Sequence, residues 1–401
     1  MPAVEHNACR RCIRPLEFTL AFVILLMIGW AYYLYVFEFC VRIYGFKTIF
    51  LTCLCVLSLT GFHIILILYL LTFFGALCIG NNLIPEQYHL DDSVFEELKR
   101  LQSVDERENI LSRLIVEREL RILERDLDGN IRVCYHCRWL KPDRTHHCSA
   151  CGVCSLKLDH HCGFLGVCVG FYNYKYFVLF MPYTLLFVVY SVLTSLPYWF
   201  LRPPFQKPVD PYNTVIFAQI ICAYYIGLTF GVLVTAFGFA HVLLINRNKT
   251  TLEDMRDPRF IWGRSNNAYN LGCIQNWKQV FGQHPLIWFL PIPAGMGNGY
   301  EFPLNDFDKM SKSPSKSVLA SETCPCAGLK KTEEAPLSTQ RNGRKFGGEK
   351  DSATATTTLS LLREMRKRRS FLPLSPRAPS FDFKLNESSE ISDVPFDFKD
   401  V

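Results

Sequence analysis

Four long apolar blocks dominate this 401-residue chain and constrain its fold more than any other feature. The first, residues 17–38, has no charge between its two terminal glutamates, and the second, residues 49–79, has no Asp, Glu, Lys or Arg. Residues 176–200 and 214–245 are similarly long and apolar. About 20 apolar residues span the ~30 Å hydrocarbon core of a bilayer. The sequence therefore predicts an all-α polytopic membrane protein with four transmembrane helices.

The first block is predicted to be a retained anchor, because it exceeds twenty residues and no small-residue cleavage site follows it. Basic residues cluster before the first block, through residues 80–175 and after the fourth block, whereas the other two loops are short. Since basic segments stay on the cytosolic side, both termini and the central segment are predicted to be cytosolic. The net charge of +6 fits a surface near anionic lipids and acidic ligands, and no nucleic-acid partner is expected.

The segments outside the blocks differ in composition. Residues 91–125 repeat apolar positions at helical spacing between charges of both signs, which predicts an amphipathic, solvated connector resting on the membrane. Beyond residue 304 the hydrophobic periodicity stops, which indicates a disordered tail. The predicted segments are spans one and two (1–79), the connector (80–129), a cysteine-rich domain (130–175), spans three and four (176–245), an interfacial C-terminal segment (246–304) and the tail (305–401).

The cysteine-rich domain has more potential metal ligands than two closed sites need. Seven of the seventeen cysteines lie between Cys134 and Cys168, together with two adjacent histidine pairs. Disulfides rarely persist in the cytosol, so Cys-x2-Cys steps of this kind favour structural zinc. Two Cys3His sites would use six cysteines and two of the four paired histidines, which leaves one cysteine and two of the paired histidines over.

The sequence Asp159-His160-His161-Cys162 offers a chemical use for the surplus cysteine. A thiol near neutral pH needs a base to become a thiolate, and a carboxylate can orient that base. One histidine could bind zinc while its neighbour activates Cys162. Alternatively, all of these residues could be zinc ligands, in a set larger than two sites need. Spacing alone leaves both interpretations open.

A family resemblance bears on that choice. The run "CYHCRWLKPDRTHHCSACGVCSLKLDHHC", continuing to "CVGFYNYKYF", resembles the cysteine-rich domain of DHHC-type protein S-acyltransferases, or palmitoyltransferases. Four spans with this domain between the second and third match that family. Thr250-Thr251-x-Glu253 is similar to its TTxE motif, and Asn276 within "NLGCIQNWKQVFG" takes the place of the asparagine in its C-terminal motif. The resemblance covers about residues 10–304.

The resemblance implies a specific assignment of the cysteine-rich domain. Cys162 would be the nucleophile, His160 its base and Asp159 the orienting carboxylate, with His146 left as a local hydrogen-bonding residue. Two structural Zn²⁺ ions would each take four ligands. The first set is Cys134, Cys137, His147 and Cys154, and the second is Cys148, Cys151, His161 and Cys168.

The resemblance also implies ligands and a location. Palmitoyl-CoA or another long-chain acyl-CoA would donate an acyl group by a ping-pong mechanism to cysteines of membrane-associated proteins, at the Golgi, the endoplasmic reticulum or the plasma membrane. The four helices would enclose the acyl chain, and basic residues of the cysteine-rich domain would bind the coenzyme A phosphates. Candidate wall residues are Trp30, Ala31, Tyr32, Phe164 and Phe187, and candidate phosphate ligands are Arg132, Lys141, Arg144 and Lys157.

One departure from the family pattern bears on activity. Family members usually have Pro-Trp-Val-Asn-Asn between the motif cysteine and the next cysteine, whereas this chain has Gly163-Phe164-Leu165-Gly166-Val167. Phe164 keeps an aromatic wall, but the two glycines are expected to loosen the loop and the asparagine amides are lost. The alternative function is therefore a catalytically impaired zinc-binding scaffold that acts through its tail. A channel or transporter is the weakest class, since His63 and His241 are the main ionisable residues near membrane depth.

Overall fold

The computed structural model describes residues 3–44, 48–201, 211–293 and 295–305. From residue 306 onward, the predicted tail lies outside the described residues. Within the described part, helices α1 to α8 and strands β1 to β9 follow one another along the chain. The helices are α1 (Ala3–Tyr32), α2 (Ile49–Cys78), α3 (Asp92–Arg100), α4 (Val104–Glu117), α5 (Tyr174–Leu201), α6 (Pro211–Arg247), α7 (Thr251–Met255) and α8 (Cys273–Phe281). The strands are β1 (Glu124–Arg125), β2 (Val133–Cys134), β3 (Trp139–Leu140), β4 (His146–Cys148), β5 (Val153–Ser155), β6 (His160–Cys162), β7 (Val167–Val169), β8 (Arg259–Phe260) and β9 (Gly263–Arg264).

Among the residues that the structure describes, four helices are long and apolar enough to cross a membrane, which confirms the predicted number of spans. The candidate spans are Phe18–Arg42, Ile49–Cys78, Tyr174–Leu196 and Thr214–Arg247. The first continues from α1 into a π-helical segment, Tyr33–Tyr44. These segments are helical because backbone amides and carbonyls within a bilayer must be hydrogen-bonded, and a helix achieves this within a single segment.

Small residues allow the transmembrane helices to pack closely. A Cβ atom added at Gly61 of α2 would lie 2.1 Å from the Tyr190 hydroxyl of α5, and one added at Gly75 would lie 2.2 Å from the Tyr176 ring. Glycine at both positions therefore lets an aromatic side chain of α5 rest directly on the backbone of α2. Rings such as Phe62 and Phe187 fill the space between the helices.

Three short antiparallel hairpins form the cysteine-rich domain. Strand β2 pairs with β3, β4 with β5, and β6 with β7. In the second hairpin His147 lies opposite Cys154, and in the third His161 lies opposite Cys168. Strands of two or three residues bury little apolar surface by themselves, so a domain of this size depends on other links for its stability.

The connector differs from its prediction. The single amphipathic helix expected over residues 91–125 is two helices, α3 and α4, separated by residues 101–103. It is also packed rather than solvated, because Phe95, Leu98 and Leu111 are almost completely buried in a cluster that includes Leu140 and Leu156 of the cysteine-rich domain. Apolar burial of this kind attaches the connector firmly to the hairpins.

The C-terminal segment closes around the same domain. Strand β8 pairs with β1 of the connector, with Glu124 opposite Phe260, and with β9 on its other side. The two-turn helix α8 packs against the last turns of α6 through Asn276, whose side chain donates to the carbonyl of Asn246 at 2.8 Å. These links place residues 248–255 directly against the third hairpin, where the surplus cysteine lies.

Candidate active site

The first cluster of metal-ligating side chains joins the first two hairpins. The sulfurs of Cys134, Cys137 and Cys154 lie 3.5, 3.2 and 3.9 Å from Nδ1 of His147. Zinc at its usual Zn–S distance of about 2.3 Å and Zn–N distance of about 2.0 Å, in tetrahedral geometry, would separate sulfur from nitrogen by roughly 3.6 Å. The donor set and its spacing therefore fit a structural zinc ion.

The second cluster repeats this arrangement between the second and third hairpins. The sulfurs of Cys148, Cys151 and Cys168 lie 3.6, 3.4 and 3.9 Å from Nδ1 of His161. All four ligand atoms lie within 4.8 Å of one another, as in the first cluster. The second hairpin supplies ligands to both clusters, so neither can assemble without ordering the other.

Cys162 ends strand β6 and belongs to neither cluster. Its side chain is buried, and the residue is 7% exposed. The chain then turns back through Leu165 and Gly166, whose amides both donate to the Cys162 carbonyl. Both predicted metal sets are thus brought together without Cys162, and its thiol is left for chemistry.

His160 and Asp159 lie beside that thiol. Nδ1 of His160 is 2.7 Å from Oδ2 of Asp159. Burial disfavours the imidazolium, yet the interactions with the side chains of Asp159 and Cys162 outweigh it and raise the pKa of His160 to about 9. The buried Asp159 has a pKa below its ordinary value, because the hydrogen bond from His160 and other nearby donors overcome the effect of burial. Such an imidazole can accept the proton of a neighbouring thiol.

Helix α7 holds Asp159 in place from a distant part of the sequence. The backbone amide of Thr251 donates to Oδ1 of Asp159 at 2.9 Å, and its hydroxyl donates to Oδ2 at 2.8 Å. Thr250 caps the helix in a capping box with Glu253, which fixes the direction of the first turn. The Thr-Thr-x-Glu sequence therefore positions the carboxylate that orients His160.

Comparison with known proteins identifies this arrangement. A family model described as DHHC palmitoyltransferase matches residues 128–258. Palmitoyltransferase ZDHHC15 of Rattus norvegicus is 32% identical over 317 residues, which cover 78% of this chain and 88% of that relative. Palmitoyltransferase ZDHHC20 of Homo sapiens is 34% identical over 295 residues, covering 73% and 78%, and palmitoyltransferase ZDHHC2 of Rattus norvegicus is 33% identical over 336 residues, covering 84% and 86%. The chain belongs to the DHHC palmitoyltransferase family.

Arg144, predicted to bind a phosphate of coenzyme A, is wholly buried. Its guanidinium pairs with Glu253 through two hydrogen bonds of 2.6 and 2.7 Å, and it also donates to Asn248. The prediction for Arg144 is wrong, because a phosphate in solvent cannot reach this group. Instead Arg144 attaches the second hairpin to Glu253 in the first turn of α7, and truncating one partner of such a buried pair is strongly destabilising.

Two further candidates for phosphate binding are also poorly placed. Arg132 pairs with Glu124 at 2.5 Å, and its side chain is 10% exposed. Lys157 is buried, with Nζ 5.8 Å from the centre of the Phe302 ring, and burial lowers the pKa of Lys157 to about 7. Lys141 remains partly exposed. The position of these basic residues in the sequence does not show that their side chains are buried. The residues that cover them lie elsewhere in the chain.

A cavity of about 300 Å³ opens between the transmembrane helices of this family member. Four of the candidate wall residues, Trp30, Ala31, Phe164 and Phe187, line this cavity. Tyr32 is not among the described residues that line the cavity. Its hydroxyl lies 3.2 Å from Nε2 of His63, so its side chain is directed toward α2. The volume is at the lower end of typical ligand pockets, and the walls are almost entirely apolar.

The five residues after Cys162 form a regular turn despite their departure from the usual family pattern. Gly166 has a φ of +68°, a left-handed conformation that glycine adopts freely and asparagine tolerates better than other residues. Leu165 is 1% exposed, whereas Phe164 is largely exposed and lies against Phe230 of α6. These residues therefore form a turn closed by backbone hydrogen bonds to the Cys162 carbonyl.

Sequence reasoning missed the residues that anchor the third hairpin to the membrane helices. The side-chain amides of Asn81 and Asn173 both donate to the carbonyl of Cys168, at 3.2 and 2.9 Å. Asn173 also donates to the carbonyl of Ala76 at the end of α2. In the sequence these residues are visible only as asparagines beside a predicted span. That position does not reveal the carbonyl group to which each one donates.

Proposed function

We propose that this protein is an integral membrane protein-cysteine S-acyltransferase that uses palmitoyl-CoA or a similar long-chain acyl-CoA. The observation that carries the proposal is Cys162, a thiol outside two complete metal-ligand sets, on the same short strand as an imidazole that a buried carboxylate orients. Family membership and the identities of the relatives support the same activity. Nothing in the site favours the scaffold alternative, since the nucleophile, the base and the carboxylate are all in place.

The first step forms an acyl-enzyme. His160 accepts the thiol proton, and the sulfur of Cys162 attacks the thioester carbonyl of the donor. A new C–S bond forms to Cys162 as the bond to the sulfur of coenzyme A breaks, and His160 returns the proton to that leaving thiolate. The imidazolium formed on the way is stabilised by Asp159 at 2.7 Å.

The second step transfers the acyl group. A cysteine thiol of a membrane-associated protein gives its proton to His160 and attacks the carbonyl of the acyl-enzyme. The bond to Cys162 breaks, and its thiol is restored when the proton returns from the imidazolium. Coenzyme A leaves before the acceptor thiol reacts with the acyl-enzyme, so ping-pong kinetics follow.

The apolar cavity explains why this chemistry belongs in a membrane. At about 0.8 kcal/mol per methylene, a palmitoyl chain with roughly fourteen methylenes has on the order of 11 kcal/mol of affinity for a bilayer. A donor of this kind is best bound where it already resides, with its chain between the helices and its thioester near Phe164, which lies two residues after Cys162. Lys141 is the remaining candidate for contact with the coenzyme A phosphates.

The two metal clusters have a structural role in this proposal. Zinc would be held by the four ligands of each set, and its chemistry would be to bind thiolates and close the hairpins. The ions would hold the Asp159–Cys162 strand against α7 and the end of α2. The termini and this domain are proposed to face the cytosol, because basic residues flank the spans on that side. The proposed location is the membrane of the Golgi or of the endoplasmic reticulum, or the plasma membrane.

Self-acylation tests the proposal. The full-length protein, purified in detergent and incubated with labelled palmitoyl-CoA, should acquire a hydroxylamine-sensitive label that Cys162→Ser abolishes. Cys273→Ser is the matched control, since Cys273 is an exposed cysteine outside both clusters and should leave labelling unchanged. Wild-type labelling of Cys162→Ser, with metal content intact, would overturn the assignment.

A further inference from the structure

His241 lies beside the proposed catalytic pair without being part of it. It belongs to α6, six residues before that helix ends at Arg247, and is 1% exposed. Polar atoms of His241, Asp159 and His160 all lie within 4.8 Å of one another. A buried histidine at this depth is usually a packed core residue, so its orientation and its neighbours decide whether it has a further role.

The orientation of His241 is fixed by a partner on α5. Its Nδ1 lies 3.1 Å from the hydroxyl of Tyr174, a residue at the first position of that helix. The rings of Phe177 and Phe237 each contact both histidines, with centroids 5.1 and 6.3 Å from His160 and 5.2 and 4.8 Å from His241. The imidazole of His160 is therefore enclosed on its membrane side by three rings, and His241 is the polar one.

The enclosure matters because His160 must satisfy two partners at once. Its ring must keep one nitrogen on Asp159 and present the other to Cys162, and its side chain, which is 22% exposed, is not fully enclosed on the remaining side. A misplacement of about 1 Å in a catalytic group can reduce a rate by a factor on the order of 100. A rigid neighbour that limits rotation of this ring would act on the rate of chemistry and leave substrate binding alone.

We propose that His241, oriented by Tyr174, is a positioning residue that keeps the imidazole of His160 aligned with both Asp159 and Cys162. The inference rests on the proposed role of His160 as the base. It assigns to the fourth transmembrane helix a direct influence on the rate of acyl-enzyme formation. The polar character of His241 is the essential property, since a ring of similar size without nitrogen would fill the space but lose the hydrogen bond to Tyr174.

Single-turnover acylation separates this role from simple packing. Labelled palmitoyl-CoA is mixed with the full-length protein, and the amplitude of acyl-enzyme measures the competent fraction while the rate constant measures the chemistry of that fraction. For His241→Phe we expect a rate constant reduced about tenfold, with unchanged amplitude and an unchanged KM for palmitoyl-CoA. His241→Gln, which keeps a polar group, should recover part of the rate, and Tyr174→Phe should show a smaller loss of about threefold.

A second histidine–tyrosine pair provides the matched control. Nε2 of His63 lies 3.2 Å from the hydroxyl of Tyr32, and neither residue is among the described residues that line the cavity. His63→Phe should leave the rate constant unchanged. A lower amplitude with a wild-type rate constant in His241→Phe, or no change in either quantity, would overturn the proposal.

Failure of the proposed function gives a different result. If Cys162→Ser were labelled as fast as the wild type, Cys162 and His160 would not be the catalytic pair, whatever the His241 variants show. If His241→Phe yields no competent fraction, His241→Gln and Tyr174→Phe are judged by the same criteria. Wild-type rate constants in both of these variants would then overturn the positioning role.

Discussion

The second and third hairpins of the cysteine-rich domain are built from nearly the same sequence. The second contains His-His-Cys-Ser-Ala-Cys-Gly-Val-Cys from His146 to Cys154, and the third contains His-His-Cys-Gly-Phe-Leu-Gly-Val-Cys from His160 to Cys168. Both are antiparallel pairs with the second histidine opposite the last cysteine. Gly152 of the second hairpin and Gly166 of the third both adopt a left-handed conformation. The amide of each donates to the carbonyl of the first cysteine in its hairpin at 2.8 Å.

Their difference lies in what surrounds the first cysteine of each hairpin. Cys148 has Cys151 three residues later, and both bind in the second metal cluster. Cys162 has Leu165 at the matching position, which is buried and cannot bind a metal. The third hairpin is thus a metal-binding turn that lacks its second thiol, and this single absence leaves Cys162 available as a nucleophile.

The first histidines of the two hairpins differ as sharply as the cysteines. Burial and the neighbouring cations Arg132 and Lys141 lower the pKa of His146 to about 3. For His160, burial acts in the same direction, but Asp159 and Cys162 overcome it and raise the pKa to about 9. The residue before each histidine contributes to this difference, since Thr145 stands where the third hairpin has Asp159. Similar strands therefore differ in reactivity through the missing thiol and through the charges around the first histidine.

The largest expected effect on acylation comes from replacing Cys148 or Cys162 with serine. Cys148→Ser should abolish acylation by losing a structural zinc site, which typically contributes on the order of 10 kcal/mol to folding, and the interleaved ligands should destabilise the other cluster as well. Cys162→Ser should abolish acylation while retaining two metal ions per chain. Elemental analysis of the purified proteins and thermal unfolding measure this difference. Equal metal loss in both variants would mean that Cys162 is a ligand after all.

Histidine substitution should give the next largest contrast. His160→Ala removes the base, and we expect single-turnover acylation to slow by about 10² to 10⁴-fold. His146→Ala removes a residue with no proposed contact to the reacting atoms, so its rate should stay within about threefold of the wild type. Metal content should be unchanged in both variants. A comparable loss of rate in His146→Ala would show that the hairpins share the catalytic work.

Much of this arrangement is predictable because its determinants are local. Four apolar blocks identify the four spans, and ligand spacing identifies the cysteine-rich domain as a metal centre with one thiol over. The pairing of ligands into two sets and the choice of Cys162 needed the family resemblance, because several assignments satisfy the same spacing. The grouping of the ligand atoms agrees with the two sets, and the choice of Cys162 as the nucleophile stays a proposal.

The residues that sequence reasoning misplaced all depend on distant partners. Arg144 is a basic residue beside a metal centre, and only the fold brings Glu253 against it. His241 is separated from His160 by the whole of α5, so no local pattern joins them. The connector helices are amphipathic in sequence, but the surface that receives their apolar side chains belongs to the hairpins. Non-local burial is what the sequence pattern alone could not reveal.

A smaller effect is expected from the hydroxyl that holds Asp159. Thr251→Val removes one of two hydrogen bonds from this residue to the carboxylate, the other being from its backbone amide. A hydrogen bond to a charged group contributes about 1.5–3 kcal/mol, so the acylation rate should fall on the order of tenfold or more.

Thr145→Val is the matched control in the second hairpin. The buried Thr145 hydroxyl has no partner among the described residues, so the substitution should change the free energy of unfolding by less than about 1 kcal/mol and leave the rate unchanged. A similar loss of rate in both threonine variants would argue against the orienting role of α7.

The smallest expected effect concerns the turn after Cys162, where this chain departs most from the family pattern. Gly166→Ala places a Cβ atom at a φ of +68°, which should cost about 1–2 kcal/mol of stability and lower the midpoint of thermal unfolding by a few degrees. Gly163→Ala is the matched control, because no atom lies within 4 Å of the Cβ it would add, and it should change neither stability nor acylation. Gly166→Asn should be milder than Gly166→Ala, since asparagine tolerates the left-handed conformation. If Gly163→Ala slowed acylation while Gly166→Ala did not lower stability, the departure at position 163 would affect catalysis itself, and the likeness between the two hairpins would end at Cys162.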